Sequence, residues 1–170
     1  MPRKFDVMVA GHLCFDVIPR FPDTGVRHIA ELLRPGKLVH MEEVSLSTGG
    51  PVSNTGIGLK ILGSKVVFTA RVGDDEFGRL IMERLRHSGN AAGIRVKAGG
   101  TSSYTVALAP PGIDRIFLHH PGTNNLFGAE DLQPALIAQC RHFHFGYPPL
   151  MRRMYANEGR ELEKIFRIAK

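Results

Sequence analysis

A carboxylate at Asp16, a side-chain amide at Asn54 and the pair Gly49-Gly50 are the residues of this chain whose types suit a polyhydroxylated ligand. A carboxylate accepts hydrogen bonds from hydroxyl groups, and charge-assisted bonds are the stronger kind. An amide offers both donors and an acceptor. Glycines let the backbone approach a ligand, because no Cβ intervenes. Pro51 follows the glycine pair and suits the first turn of a helix. The amides at such a helix start are unpaired and can meet a polar or anionic group. Arg115 is a candidate for an anionic group on a substrate. Cys14 stands two residues before Asp16.

Other chemistry-bearing groups have plainer readings. Asp74-Asp75-Glu76 could hold magnesium, since hard cations take carboxylate oxygens. The preferred reading is that Asp74 or Asp75 caps the following helix, where a carboxylate also meets the positive end of the dipole. His142 and His144 alternate and so share a face if they lie on a strand. No third ligand is placed by spacing, so they read as half-buried strand histidines. His119-His120 have no partner that spacing can identify. Gly58-x4-Gly63-Ser64-Lys65 resembles a phosphate loop, but its Ser and Lys are reversed. Gly56-x-Gly58-x-x-Ile61 lacks the third glycine of a dinucleotide fingerprint.

The elements that must position these residues follow from periodicity. Phe5 to Gly11 and Lys65 to Val72 read as buried strands, short and Val-rich. Residues 51–62 form a helix with Val52, Thr55, Leu59 and Leu62 on one stripe. Gly56 and Gly58 would let that helix pack closely on a sheet. Phe77, Leu80, Ile81 and Leu85 form the apolar face of the next helix, and Gly89 suits a left-handed C-terminal position. Arg141 to Gly146 is a strand. Residues 130–140 and 157–169 are helical, the second with Leu162, Ile165, Phe166 and Ala169 on one face. Strands alternating with helices predict an α/β fold with a mainly parallel sheet. Short strands at 17–18, 38–41, 44–46, 94–97, 103–109 and 115–119 fall outside that alternation.

Composition sets the bounds. The chain has 170 residues and 43% hydrophobic content, enough for the core of one domain. Cys14 and Cys140 are far apart and show no zinc spacing, so both read as free thiols. No apolar run approaches membrane-spanning length, which predicts a cytoplasmic protein without a membrane partner. Net charge is +6, but the bases are scattered and no aromatic residues interleave with them. Nucleic acid is therefore not an expected partner.

Gly49-Gly50-x-x-x-Asn54, followed by Gly73-Asp74-Asp75-x-x-Gly78, resembles the first signature of the ribokinase-like (PfkB) carbohydrate kinases. The resemblance implies a Rossmann-like three-layer α/β domain over residues 1–170, with a small β-sheet lid from strands at about 17–46 and 94–119. It implies ATP- and Mg2+-dependent phosphorylation of a hydroxyl on a sugar, sugar acid or nucleoside. It implies acceptor contacts at Asp16, Gly49, Gly50 and Asn54. Gly122-Thr123-Asn124 resembles the turn that follows the lid. The chain departs from the family at Cys14, where an asparagine contacts the sugar, and at Gly146, where ribokinase has a glutamate. A lid-mediated homodimer is a further expectation of the resemblance.

The family's second half carries Asp-Thr-x-Gly-Ala-Gly-Asp, and nothing here matches it. The general base, the anion hole and most of the ATP pocket are therefore expected outside these residues. No catalytic, cofactor-binding or metal residue is assigned within them. The chain reads as the N-terminal portion of a kinase, truncated before the C-terminal half, against a short independent domain. The alternative functions are a non-catalytic sugar- or nucleoside-binding module and an inactive gene fragment.

Overall fold

The computed structural model describes residues 3–170. Its main sheet has four strands in the order β5-β4-β1-β8, all parallel: β1 (Phe5–Gly11), β4 (Val66–Gly73), β5 (Asn90–Lys97) and β8 (Cys140–Gly146). A smaller sheet has the order β3-β2-β6-β7 and is built from β2 (Cys14–Pro19), β3 (Val44–Gly49), β6 (Tyr104–Leu108) and β7 (Ile116–His120). The helices are α1 (Ile29–Leu32), α2 (Gly50–Ile61), α3 (Glu76–Ser88), α4 (Pro134–Ile137), α5 (Arg152–Tyr155) and α6 (Arg160–Ala169).

The near-continuous apolar runs of β1 and β4 are what a sheet covered on both faces requires. Val7, Val9, Phe68, Ala70 and Val72 point to one side and pack with Val52 of α2 and with Ile81 and Leu85 of α3. Met8, Ala10 and Val67 point to the other side, towards Met154 of α5 and Ile165 of α6. Each large apolar side chain fully buried in these layers contributes about 1.5–3 kcal/mol. Two close approaches need glycine: a Cβ on Gly56 or Gly89 would run into the Phe68 ring. Gly58 has open space around it, so only Gly56 has the packing role expected of both.

Several expectations are corrected. Ile94–Lys97 belongs to β5 of the main sheet, not to the lid; α3 carries the chain across the sheet and returns it parallel to β4, a βαβ unit. Leu38–Met41 is not a strand, because β3 already forms the outer edge of the small sheet and nothing pairs beyond it. Leu62 and Leu80 face outward rather than joining their helices' buried stripes. Gly89 has φ 168°, which is extended and not left-handed. Residues 130–140 give only a turn and the four-residue α4, and α6 starts at Arg160, because Asn157, Glu158 and Gly159 take positive φ.

The Gly-Asp-Asp run fastens α3 to the start of the lid. Asp75 caps α3 by accepting from the Gly78 amide at 2.9 Å, and it also accepts from the Ser102 amide at 2.7 Å and hydroxyl at 2.6 Å. That hydroxyl in turn accepts from the Gly73 amide at 2.9 Å. Asp74 accepts from the Gly99 amide at 3.0 Å. Partial burial pushes the Asp75 carboxyl up, but the bonds from Ser102 and Gly78 outweigh it and hold the group below its ordinary value. These two carboxylates tie the start of α3 to the start of the lid, and Asp75 is the cap. We predict that Asp75→Ala lowers stability by about 1–3 kcal/mol. Asp74→Ala should cost less than half of that. Urea midpoints of the two variants check the difference.

Candidate functional site

The chain leaves the main sheet at Gly11, passes through His12 and Leu13, and enters the lid at Cys14. Asp16 therefore lies two residues inside lid strand β2, not at the end of β1. Asn124, fully buried, locks this crossing: its amide donates to the Leu13 carbonyl at 2.9 Å, and its side-chain oxygen accepts from the Leu13 amide at 3.4 Å. The returning strand β3 ends in the di-glycine turn, with Cys14 paired to Gly49 and Asp16 paired to Ser47.

The two glycines have separate reasons. A Cβ on Gly49 would overlap the Asp16 carboxylate, so glycine is what lets that carboxylate sit beside the turn. Gly50 has φ +81°, a conformation that side chains disfavour. A Cβ there would also lie 2.6 Å from His12 Nδ1. Pro51 lies in the first turn of α2, and the Val52 amide donates to the His12 carbonyl at 3.3 Å. Asn54 is exposed one turn into α2, and its side chain makes no hydrogen bond among the described residues. The structure thus gathers Cys14, Asp16, Gly49 and Gly50 at one crossing and puts Asn54 on the helix that leaves it. Gly146 at the end of β8 is pressed against the Pro51 ring, which leaves no room for a longer side chain.

Arg115 is not brought to this crossing. It precedes β7 at the far end of the lid, exposed, with its guanidinium 5.6 Å from the Phe117 ring centre. His142 and His144 are exposed on edge strand β8. Among the described residues no three His, Cys, Asp or Glu side chains are grouped to hold a metal. A surface hollow of about 710 Å3 along α6 contains none of the candidate residues.

The site contains polar groups that are short of partners. Asp16 accepts from the Cys14 thiol at 3.2 Å. Burial pushes its carboxyl above the ordinary value, against the opposing effects of Cys14, Thr105 and His119. Burial, and then the charge of Asp16, push the Cys14 thiol up, so it is protonated and a poor nucleophile. Sequence reasoning missed His12, Thr105 and the role of His119. His119 Nε2 lies 3.4 Å from His12 Nε2, and His119 Nδ1 lies 3.0 Å from Thr105 Oγ1. His120 turns to the other side of the strand and meets Thr101 at 3.1 Å. No local spacing could have signalled a contact between residues 107 positions apart.

Residues 4–156 match the model of the pfkB family carbohydrate kinase. The chain belongs to that family. It is 30% identical over 101 residues to fructokinase-1 of Zea mays, an alignment covering 58% of this chain and 31% of the relative. It is 31% identical over 115 residues to 2-dehydro-3-deoxygluconokinase of Thermoproteus tenax, covering 65% and 35%. The solved fructokinase of Xylella fastidiosa with bound ATP superposes with a TM-score of 0.72 at 20% identity, covering 97% of this chain and 48% of that one. The ribokinase-like fold implied by the sequence resemblance is the fold observed. The chain spans about a third of the length of these curated relatives.

His12 gives the site a pH signature. Burial, and then the neighbouring His119, lower its pKa to about 4 from 6.5. The unfolded chain therefore binds more protons between those values, and the folded state loses stability as pH falls from 6.5 towards 4. Between pH 7.5 and 5 the loss is on the order of 2 kcal/mol. Urea midpoints measured across this range should fall in the wild type and fall less steeply in His12→Gln.

Proposed function

We propose that this chain forms the acceptor-binding part of an ATP-dependent sugar kinase. Asp16 and Asn54 orient hydroxyl groups, the di-glycine turn admits the sugar ring, and the lid excludes water. The observation that carries this reading is the seating of Asp16. A half-buried carboxylate held beside a bare glycine turn, with a thiol as its hydrogen-bonded neighbour, has unused acceptor capacity where a polyol would lie. Family membership and the names of the relatives support a sugar or sugar acid as the acceptor.

ATP and Mg2+ would supply the phosphoryl group and neutralise its charge. The residues present here do not fit a nucleotide–metal site: Asp74 and Asp75 are engaged by backbone amides, and among the described residues no ligand cluster stands in for them. The general base and nucleotide pocket are thus assigned to residues beyond this chain. Such catalysis is mostly positioning and charge stabilisation, and this chain's share is positioning. The same reading includes a lid-mediated homodimer, supported by Val44, Leu46, Ile116 and Leu118, which lie exposed on one face of the lid. No helix among the described residues is long and apolar enough to cross a membrane.

Two measurements test the proposal. D-fructose or 2-dehydro-3-deoxygluconate should raise the melting temperature of the 170-residue chain, and Asp16→Ala should abolish the shift. No stabilisation of the wild type by either compound would sink the acceptor-site reading. Phosphate transfer from ATP to fructose by the purified chain alone should stay at background. Turnover that co-purifies with the chain and disappears in Asp16→Ala would overturn the assignment of the base elsewhere.

A further inference from the structure

The hydrogen bonds that lead to Asp16 form a chain whose direction is set at its buried end. His12 is 2% exposed, and its Nδ1 has no hydrogen-bond partner. A buried N–H without a partner is rarer in proteins than a buried acceptor without one. Burial lowers both His12 and His119, so at neutral pH each ring carries a single proton. The His12 proton therefore sits on Nε2, where it meets His119 Nε2 at 3.4 Å. That nitrogen must accept, which puts the His119 proton on Nδ1, 3.0 Å from Thr105 Oγ1. Thr105 accepts there, so its own hydroxyl proton points the other way, to Cys14 Sγ at 3.8 Å. Burial keeps the Cys14 thiol protonated, and it donates to Asp16 Oδ1 at 3.2 Å. Every donor in the chain points towards the carboxylate.

The end of the chain separates the two carboxylate oxygens. Strand register places Asp16, Thr105 and His119 in one row across β2, β6 and β7, so they share a face of the lid. Cys14, two residues before Asp16 on β2, points to the same face. Oδ1 is the oxygen engaged by the thiol. Oδ2 is the atom nearest the place that a Gly49 Cβ would take, and among the described residues no hydrogen bond reaches it. We infer that Cys14, Thr105 and His119 are positioning residues, whose one-way hydrogen-bond chain holds Asp16 Oδ1 so that Oδ2 is presented to an acceptor hydroxyl beside the di-glycine turn. The inference rests on the acceptor-site reading above. Cys14 thus acts through Asp16 rather than on the sugar. Successive hydrogen bonds in a buried network polarise one another, and those of Cys14 and Thr105 favour the ionised carboxylate. The titratable groups facing that carboxylate are Cys14 on its own strand and His119 on β7. Strand β3 on its other side and the first turn of α2 carry none.

Two measurements on the whole 170-residue chain test the inference. Long-range proton–nitrogen spectra of the 15N-histidine-labelled wild type, without ligand, should place the His12 proton on Nε2 and the His119 proton on Nδ1. A His119 proton on Nε2 would overturn the chain, because Thr105 would then donate to Nδ1 and have no proton left for Cys14. D-Fructose binding followed by calorimetry across pH reads the consequence. Cys14→Ala should weaken binding about tenfold, the scale of one hydrogen bond to a charged group. It should also move the acid limb of the binding profile to higher pH, since loss of a donor raises the carboxyl's pKa. Cys14→Ser, which keeps a donor, should restore part of both, and Thr105→Val should shift both in the same sense by less. Binding that is lost in Asp16→Ala but unchanged in affinity and pH profile in Cys14→Ala would overturn the positioning role and leave the acceptor site standing. Absence of binding in the wild type overturns both. Should Cys14→Ala fail to fold, the wild-type tautomers still decide.

Discussion

The absence of side chains at Gly49 and Gly50 is the constraint on which the candidate site depends. The space a Cβ would take at Gly49 belongs to the Asp16 carboxylate, and the space at Gly50 belongs to His12. Three segments converge there: the end of β1, the start of lid strand β2 and the return into α2. Any side chain at the turn would push the lid strand away from the helix that must face it. The carboxylate of Asp16 and the buried imidazole of His12 are thus seated against the turn by the absence of two side chains.

The lid is fastened to the main sheet at its roots rather than along its length. Asp75, Ser102 and Gly73 form one fastening, and Asn124 with the Leu13 backbone forms the other. Phe15 continues the apolar core into the lid by stacking on Phe77 of α3, which in turn meets Tyr104. One face of the lid root is therefore structural, and the opposite face carries Asp16, Thr105 and His119. Alternation along the strands separates the two tasks. The part-buried ion pair of Arg71 with Asp131, at 2.7 Å, ties β4 to the segment after the lid.

The site is polar but weakly charged. Burial keeps the Cys14 thiol protonated and lowers both His12 and His119 below their ordinary value. In His119 the nearby Asp16 opposes burial and His120 without outweighing them. Such a surface suits hydroxyl groups better than a phosphate. Arg115, the cation expected to meet an anionic group, stands at the distal end of the lid, far along β7 from this surface.

The sequence by itself determined the elements whose signals are local. Apolar runs marked β1 and β4, a carboxylate pair before a helix marked the cap as Asp74 or Asp75, and glycines followed by proline marked the turn into α2. It also determined the family, because that signature is a spacing along one stretch of chain. Only the tertiary structure decided which sheet each short strand joined: Ile94–Lys97 reads like a lid strand, yet α3 delivers it to β4. It alone decided that Leu38–Met41 has no partner, that Leu62 and Leu80 face outward, and that Arg115 stands apart from Asp16. The pairing of His12 with His119 was invisible for the same physical reason. Strand partnership and side-chain contact across more than a hundred residues depend on which edges and faces the fold brings together, and no local pattern of residue types carries that information.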